Sequence, residues 1–382
     1  MLFHTVLEWP LVLIFAAMTR PMHTRAANHS AGDRRKDVLL PTALFLCMVA
    51  VILGLARAGV RPGHIETILI FGYPMLWCLS FGKQRPRFVL GLLAIFLASH
   101  LYEPFGPTLL ARRSFFGVYR VRNSPDHHFR LLFHGGIIHG VQSLEPSAAC
   151  EPLSYYSRSG PAGEIFDEMQ SRMPTGNWAV VGLGAGAMAS YLRPGQSLTF
   201  YEIDPLVAKI ARDSSYFTYL SHCAPSARII LGDARLRLRE APDGSYGLIA
   251  LDAFSGDSIP EHLLTREALS LYLRKLAPGG VIAFHISNLY FDLAPTLGNL
   301  AKNEHLVAII GTDTFVTQPQ RDGGNMPSVW LVMARQPADI AQLLGNKSAN
   351  FRWEIAPINS GARLWTDDYS NLLGVIRPVV AE

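Results

Sequence analysis

The hydrophobic pattern of this chain changes near residue 104. Before it, apolar residues form long runs; residues 38–56 are 19 uncharged positions, long enough to span a bilayer as a helix. Weaker apolar runs lie at residues 1–19, 67–82 and 88–102. Beyond residue 104, short apolar stretches alternate with turn residues. We therefore predict a membrane region with three to four hydrophobic segments over residues 1–104, followed by a folded domain or domains.

The hydrophobic pattern after residue 104 predicts two folded parts, a small β domain and an α/β domain. Residues 114–122 and 128–140 alternate apolar and polar positions, which indicates a hairpin or small sheet in a small β domain, residues 105–175. Residues 176–382 read as an α/β domain. Its strands are predicted at 179–181, 198–201, 228–231, 246–251, 281–286 and 328–334, the last at the far end of the sheet. A helix is predicted at 265–276, with Pro278-Gly279-Gly280 as its stop.

A glycine turn joins the first two strands of the α/β part. Gly182, Gly184 and Gly186 precede a small-residue helix start, and the next strand ends at Glu202. The glycines let the backbone approach a ligand, and an acid about 20 residues later can accept both ribose hydroxyls. The spacing G-x-G-x-G lacks the third glycine of a dinucleotide site. It resembles an S-adenosylmethionine-type fold, although an ordinary glycine-rich turn is the alternative.

The fold class is therefore α/β: a Rossmann-like S-adenosylmethionine-type domain, preceded by a small β domain and N-terminal transmembrane helices. Glu202, Asp233 and Asp252 each follow an apolar strand. The carboxyl ends of strands in an open α/β sheet are where ligands bind. We expect these three acids to share one crevice.

Charge and cysteines narrow the functional classes. Residues 1–104 carry ten Lys/Arg and five Asp/Glu, and the rest carries 24 and 25, so the folded part has no basic patch for nucleic acid. The four cysteines, at 47, 78, 150 and 223, show no metal-ligand spacing. They are predicted to be reduced, structural thiols, with neither a disulfide framework nor a metal site. No metal cofactor is expected.

The loop charges bear on membrane topology. Residues 20–36 hold five Lys/Arg, and Lys83, Arg85 and Arg87 follow the third run. The positive-inside tendency places both loops in the cytoplasm. A full fourth span would export the following domain, so we expect residues 88–102 to be a short interfacial anchor. The prediction is a multi-pass cell-membrane protein with a cytoplasmic catalytic domain; an extracytoplasmic domain is the alternative. Residues 1–19 do not resemble a signal peptide, and a truncated start of a longer protein is also compatible.

The order of motifs resembles the spermidine synthase (polyamine aminopropyltransferase) family over about residues 110–335. The motifs are G-x-G-x-G, E-x-D, G-D-A, and an acidic loop after the fourth strand. The chain resembles the bacterial membrane-fused spermidine synthase-like proteins more closely still. The segments that carry this resemblance are HGGIIHGVQ, SYYSRSG, LDAFSGDSIPEHLLT and LWTDDYSN. The resemblance implies an aminopropyl transfer from decarboxylated S-adenosylmethionine to a small-molecule amine such as putrescine. It also implies a possible homo-oligomer.

The resemblance implies the site residues. Nucleoside binding falls on the glycine turn and on Gln142, Glu202, Asp233 and Ala234. Asp252 would take the proton of the attacking amine, and Asp257 would bind the cationic end of the polyamine, also acting in catalysis. Amine contacts are further expected from Tyr155, Tyr156 and Asp368; the alternatives are packing for the tyrosine pair and a helix N-cap for residues 365–369.

Two positions depart from the family. Ala185 stands where spermidine synthases carry an Asp in the glycine turn, which leaves S-adenosylmethionine itself open as the donor. His139 replaces an acid of the family's D-G-x-x-Q and is either an active-site group or a structural histidine. The alternatives are therefore an amine methyltransferase using S-adenosylmethionine, or a degenerate, nonenzymatic module that binds a nucleoside or polyamine.

Overall fold

The computed structural model describes residues 8–19, 31–58, 64–103, 105–253, 260–288, 290–346 and 351–377. Contacts divide the chain into two units. The first is Met1–Arg113 with Arg122–Asp126, and the second is Ser114–Val121 with His127–Glu382. The second unit therefore includes most of the predicted small β region together with the α/β part.

The first unit is mainly helical. Its helices are α1 (Glu8–Thr19), α2 (Ala31–Arg57), α3 (His64–Thr67), α4 (Tyr73–Ser80) and α5 (Arg85–Ser99), with a π-helical segment at Ile68–Gly72 and a strand β1 (Thr108–Arg113). Among the described helices, one is long and apolar enough to cross a membrane, over Arg34–Arg57. The apolar helices Pro10–Thr19 and Ile65–Ser80 are shorter, so the structure does not establish the predicted three to four spans.

Helix α2 has two different faces. Leu44 is fully buried with Cys78 and Phe81, and α5 contributes partly buried apolar side chains to this cluster. An ion pair between Asp37 and Arg87, 2.9 Å long, joins α2 to α5. The other face of α2 leaves several large apolar side chains exposed: Val38, Leu39, Leu46 and Leu53.

The small sheet contains a tight hairpin. The strands β2 (Val118–Asn123), β3 (Phe129–His134) and β4 (Ile137–Ser143) are neighbours in chain order. Strands β3 and β4 pair antiparallel, and Gly135 turns between them with φ 60°. The predicted segment 128–140 is thus itself a hairpin.

The main sheet has eight strands. They are β5 (Asn177–Val181), β6 (Ser197–Glu202), β7 (Arg228–Leu231), β8 (Tyr246–Leu251), β9 (Leu276–His285), β10 (Val307–Asp313), β11 (Ser328–Ala334) and β12 (Trp353–Ile355), in the order β12-β10-β11-β9-β8-β5-β6-β7. The half from β9 to β7 is parallel. Strands β10, β11 and β12 add antiparallel pairs. All six residues of β8 are buried, as expected for a central strand covered on both faces.

Helices cover this sheet. They are α6 (Pro161–Arg172), α7 (Pro205–Arg212), α8 (Ala234–Glu240), α9 (Arg266–Lys275), α10 (Ala294–Asn303), α11 (Gln318–Asp322) and α12 (Ala341–Gly345). The strand predictions for β7, β8 and β11 match the structure. Two details are wrong. Strand β9 begins at Leu276 and contains Pro278-Gly279-Gly280, and β11 lies between β10 and β9, inside the sheet rather than at its end.

The cysteine prediction is wrong for one pair. Cys150, after β4, forms a disulfide with Cys223 at the end of a π-helical turn, Tyr219–Cys223, 73 residues later. The spacing of the four cysteines in the sequence does not indicate which two of them the tertiary fold brings together. Cys47 and Cys78 are free thiols.

Candidate active site

The carboxyl ends of the parallel strands open into one cavity of about 280 Å³ in the second unit. Residues from β2, β3 and β4 cover it from the side of the small sheet. Glu202, Asp233 and Asp252 all line it, so the expected shared crevice of the three acids is present. Its other lining residues of functional interest are Phe116, Tyr119, His134, His139, Tyr156, Gly182, Gly184, Ala234 and His262.

The glycine turn needs its glycines because two backbone segments approach it closely. Gly182 has φ 94°, and a Cβ there would lie 2.3 Å from the carbonyl oxygen of Asp252. Gly184 has φ 53°, and its Cβ would lie 2.6 Å from the carbonyl oxygen of His139. Side chains would force both segments away. Gly186 also has a positive φ, 89°, but lies outside the cavity lining and starts a short 3₁₀ helix, Ala187–Tyr191.

Glu202 is held by the backbone at the end of β6. One carboxylate oxygen accepts the N–H of Leu183 at 3.0 Å, and the other accepts the N–H of Asp204 at 2.8 Å. Burial raises the pKa of Glu202 to about 7, although these backbone hydrogen bonds favour the charged form. A carboxylate in this place can accept hydrogen bonds from vicinal hydroxyls when it is ionised.

Asp233 caps helix α8 and also faces the cavity. Its Oδ1 accepts the N–H of Leu236 at 2.9 Å, and its Oδ2 lies 3.0 Å from Nε2 of His262. Ala234 lines the cavity next to it. His262 was not a predicted site residue. It lies within the segment LDAFSGDSIPEHLLT quoted for the family resemblance, and that position was the available signal.

Asp252 lines the cavity at the end of β8, where its backbone lies against Gly182. Its Oδ2 accepts a short hydrogen bond from the hydroxyl of Tyr156, and its Oδ1 lies 2.6 Å from Nδ1 of His285. Burial, followed by the nearby charge of Asp252, raises the pKa of Tyr156 well above its ordinary value, so this hydroxyl keeps its proton. Tyr155 does not line the cavity; its ring stacks on His285 at 4.5 Å between centroids.

His139, which the sequence predicted to be either an active-site group or a structural histidine, lines the cavity. Burial lowers the pKa of His139 to about 4, and the ring is therefore neutral at pH 7. Its Nε2 is buried and has no hydrogen-bond partner among the described residues. The ring centroid lies 5.3 Å from that of His134, a second cavity histidine that the sequence analysis did not select.

Besides Gly186 and Tyr155, two further predicted site residues are not part of this lining. Gln142 is 3% exposed, and its side-chain amide is hydrogen-bonded to the carbonyl of Ala149 at 2.7 Å and to Thr218 at 2.9 Å. Asp368 is exposed and outside the lining. Asp257 lies outside the described residues. The roles expected for all three stay predictions.

The charge of the cavity has one sign. Its described lining contains three carboxylates and neither lysine nor arginine. Such a lining attracts cations and repels a free carboxylate on a ligand. Within the described part of the chain, no group of three or more His, Cys, Asp or Glu side chains could hold a metal ion.

Two known proteins are similar to this chain in sequence. No family model matches the chain. A polyamine aminopropyltransferase of Vibrio vulnificus (strain CMCP6) is 37% identical over 143 residues, which are 35% of this chain and 45% of that protein. A probable polyamine aminopropyl transferase of Bifidobacterium longum (strain NCC 2705) is 24% identical over 254 residues, 64% of this chain and 53% of that protein.

A solved structure agrees in fold. A probable spermidine synthase from Corynebacterium glutamicum ATCC 13032 superposes with a TM-score of 0.51 at 20% identity, covering 71% of this chain and 99% of that chain. The fold is thus the α/β fold with a mixed sheet seen in that protein. The chain spans about half the length of the curated relatives it matches. The resemblance to the spermidine synthase family is confirmed.

Proposed function

We propose, from the premise that this chain is a relative of the spermidine synthases, that its second unit transfers an aminopropyl group from decarboxylated S-adenosylmethionine to an amine such as putrescine. The observation that carries the proposal is Asp252, a carboxylate in the lining of the acidic cavity that accepts a hydrogen bond from Tyr156. The remaining steps concern the proton, the donor and the membrane.

The reaction needs a proton acceptor. A primary amine has a pKa near 10, so almost all of it is protonated at pH 7. In the proposed step, Asp252 takes a proton from the ammonium group. The freed nitrogen lone pair then attacks the aminopropyl carbon bonded to sulfur. The new N–C bond forms as the C–S bond breaks, and the electron pair leaves with sulfur as neutral 5′-methylthioadenosine. Because the sulfonium is a good leaving group, positioning supplies most of the remaining rate.

The acidic lining supports the decarboxylated donor. S-adenosylmethionine carries a carboxylate for which the described lining offers no lysine or arginine. Ala185 is 1% exposed and packs against Gly140, where an added Cβ would lie 2.4 Å from that of Ala185. The departure at position 185 therefore lies behind the cavity wall and opens no pocket for a carboxylate.

The nucleoside would lie at the glycine-turn end. Glu202 would accept the ribose hydroxyls, and Asp233 with Ala234 would contact the adenine. These roles rest on the family resemblance, and the positions of all three residues on the cavity wall support them.

Product analysis tests the proposal. Detergent-solubilised full-length protein is incubated with putrescine and each donor in turn. We expect 5′-methylthioadenosine and spermidine from the decarboxylated donor. S-adenosylhomocysteine from S-adenosylmethionine would instead show a methyltransferase. Binding of a donor by calorimetry with no product from either would favour the nonenzymatic module.

We further propose that α2 anchors the chain in a membrane. Its length, its composition and its exposed apolar face, with Val38, Leu39 and Leu46, support this. The cytoplasmic side remains our prediction for the catalytic domain, on the ground that the donor is made there. The disulfide Cys150–Cys223 argues for the other side, because disulfides persist mainly in oxidising compartments.

Reporter fusions decide the side. Alkaline phosphatase and green fluorescent protein are fused in parallel after residue 104, and the full-length chain is fused at its C-terminus as a control. Fluorescence without phosphatase activity supports the cytoplasmic placement. Phosphatase activity would overturn it. The disulfide would then lie in an oxidising compartment, where disulfides usually occur.

A further inference from the structure

We propose that His285 is the positioning residue of Asp252, acting within a Ser287–His285–Asp252 chain of hydrogen bonds. This inference deepens the proposed function and rests on it for its kinetic consequence. The geometry of the chain is independent of the reaction. The spermidine synthase resemblance assigned no role to this histidine.

The sheet register places the two side chains together. Strands β8 and β9 are parallel, and Leu251 pairs with Phe284. The next residues along these strands are Asp252 and His285, which therefore extend from neighbouring strands at the same edge. On the other side of β9, Trp330 of β11 pairs with His285.

Hydrogen bonds fix the state of the imidazole. The Ser287 hydroxyl oxygen accepts the N–H of Val329 at 2.8 Å and lies 2.7 Å from Nε2 of His285. An ionised Asp252 can only accept, so Nδ1 of His285 must carry the proton that it donates over 2.6 Å. In a neutral ring, Nε2 is then the acceptor for the Ser287 hydroxyl. Each group in this chain has a complementary partner.

The packing holds the ring in this orientation. His285 is 5% exposed and stacks on Tyr155 and on Trp330, with centroids 4.5 and 4.9 Å away and rings tilted by 24° and 25°. The ring cannot turn without displacing one of these neighbours. Titratable side chains that face it among the described residues include Asp252 after β8, Tyr155 and Tyr156 from the loop before α6, and His139 from β4.

Two hydrogen-bond donors therefore hold the carboxylate of Asp252 in one orientation. Nδ1–H of His285 holds one oxygen, and the hydroxyl of Tyr156 holds the other. This fixes the rotation of the carboxylate and stabilises its charged form, the form that can take a proton. Removing the histidine donor would leave one carboxylate oxygen without this hydrogen bond, so the carboxylate would be less well oriented and its charged form less stabilised.

Kinetics of two variants test the role. His285→Leu removes the donor, whereas His285→Asn keeps an N–H near the place of Nδ1. We expect His285→Leu to lower kcat by about 10- to 100-fold, with the KM of the donor changed less than about twofold, and to move the acid limb of kcat/KM upward by about one pH unit. His285→Asn should keep kcat within about fivefold and leave the acid limb in place. Equal losses in both variants, or an unmoved acid limb in His285→Leu, would overturn the inference.

A spectroscopic test needs no activity. Nitrogen NMR of ¹⁵N-histidine-labelled full-length protein, with the signal assigned by its loss in His285→Asn, should show a neutral Nδ1–H tautomer at pH 7.5. A neutral Nε2–H tautomer would overturn the proposed chain. If the expected tautomer is found but the wild-type protein forms no methylthioadenosine, the proposed function fails while the hydrogen-bonded chain stands.

Discussion

The cavity lining has two parts that are built in different ways, and the proposed function names them the nucleoside end and the amine end. The nucleoside end comes from one continuous stretch, the β5–turn–β6 unit, in which Gly182, Gly184 and Glu202 lie within about two dozen residues. The amine end joins Tyr156, Asp252 and His285 from a loop before α6 and from two neighbouring strands. One end is local in sequence, and the other exists only after the sheet has formed.

The two ends also differ in what holds their carboxylates. Backbone N–H groups fix Glu202, so the shape of the turn determines that site. Side chains from distant segments fix Asp252. A substitution at the amine end should therefore affect proton transfer selectively, while one at the nucleoside end should affect binding of the donor.

The largest expected effect comes from Asp252→Asn. The amide has the size of the carboxylate but cannot take a proton from the amine. We expect kcat to fall about 10³-fold or more, while the affinity for the donor, measured by calorimetry, changes only a few-fold. Asp167→Asn, at an exposed carboxylate with a 3.5 Å contact to Arg193, is the matched control and should keep full activity. Turnover that survives Asp252→Asn would show that another group is the base.

The same contrast explains which parts the sequence could predict. Glycines at fixed spacing and acids after apolar strands are local signals, and they located Glu202, Asp233 and Asp252 on one cavity. The partners of Asp252 depend on sheet register and on a loop more than 90 residues away, since Tyr156 and Asp252 are separated by 96 positions. His285 could be recognised as a residue at the end of a strand, but its neighbours could not.

Two predictions from the sequence, the helix stop at residues 278–280 and the absence of a disulfide, are wrong for the same reason. The glycine and proline residues at 278–280 look like a helix stop, yet β9 continues through them beside β8. The cysteines at 150 and 223 are distant in sequence and meet only because the loop after β4 lies against the turn Tyr219–Cys223. Tertiary pairing overrides local propensity in both places.

Loss of the disulfide should have the next largest effect, and the quantity it lowers is stability. It closes a loop of 73 residues, next to the hydrogen bonds of Gln142 with Thr218. We expect the double variant Cys150→Ala/Cys223→Ala to lose about 2–4 kcal/mol of unfolding free energy in urea denaturation. Because neither cysteine lines the cavity that contains Asp252, kcat should change little.

Cys47→Ala removes a free thiol and serves as the control for this experiment. It should match the wild-type protein in urea, with and without reductant. If the double variant unfolds in urea like the wild-type protein, the disulfide contributes nothing to its stability.

The smallest effect should come from the titration of Glu202. Because burial raises its pKa to about 7, this carboxyl is mostly protonated at pH 6 and mostly ionised at pH 8. Accepting ribose hydroxyls requires the ionised form, so donor affinity should rise by about tenfold between these pH values. Calorimetric titration of the decarboxylated donor at several pH values measures this change.

The stability of the protein free of donor should change in the opposite direction. The pKa of Glu202 is higher in the folded state than its ordinary value of 4.5, so the folded state binds the proton more tightly than the unfolded chain. The stabilisation by the protonated form is fully present below about pH 4.5 and is lost as the pH rises through about 7. Glu202→Gln should remove both pH dependences, whereas Asp252→Asn should keep them. If Asp252→Asn instead flattens the donor-binding profile, the two ends of the cavity are electrostatically coupled, and the division between a binding end and a proton-accepting end is wrong.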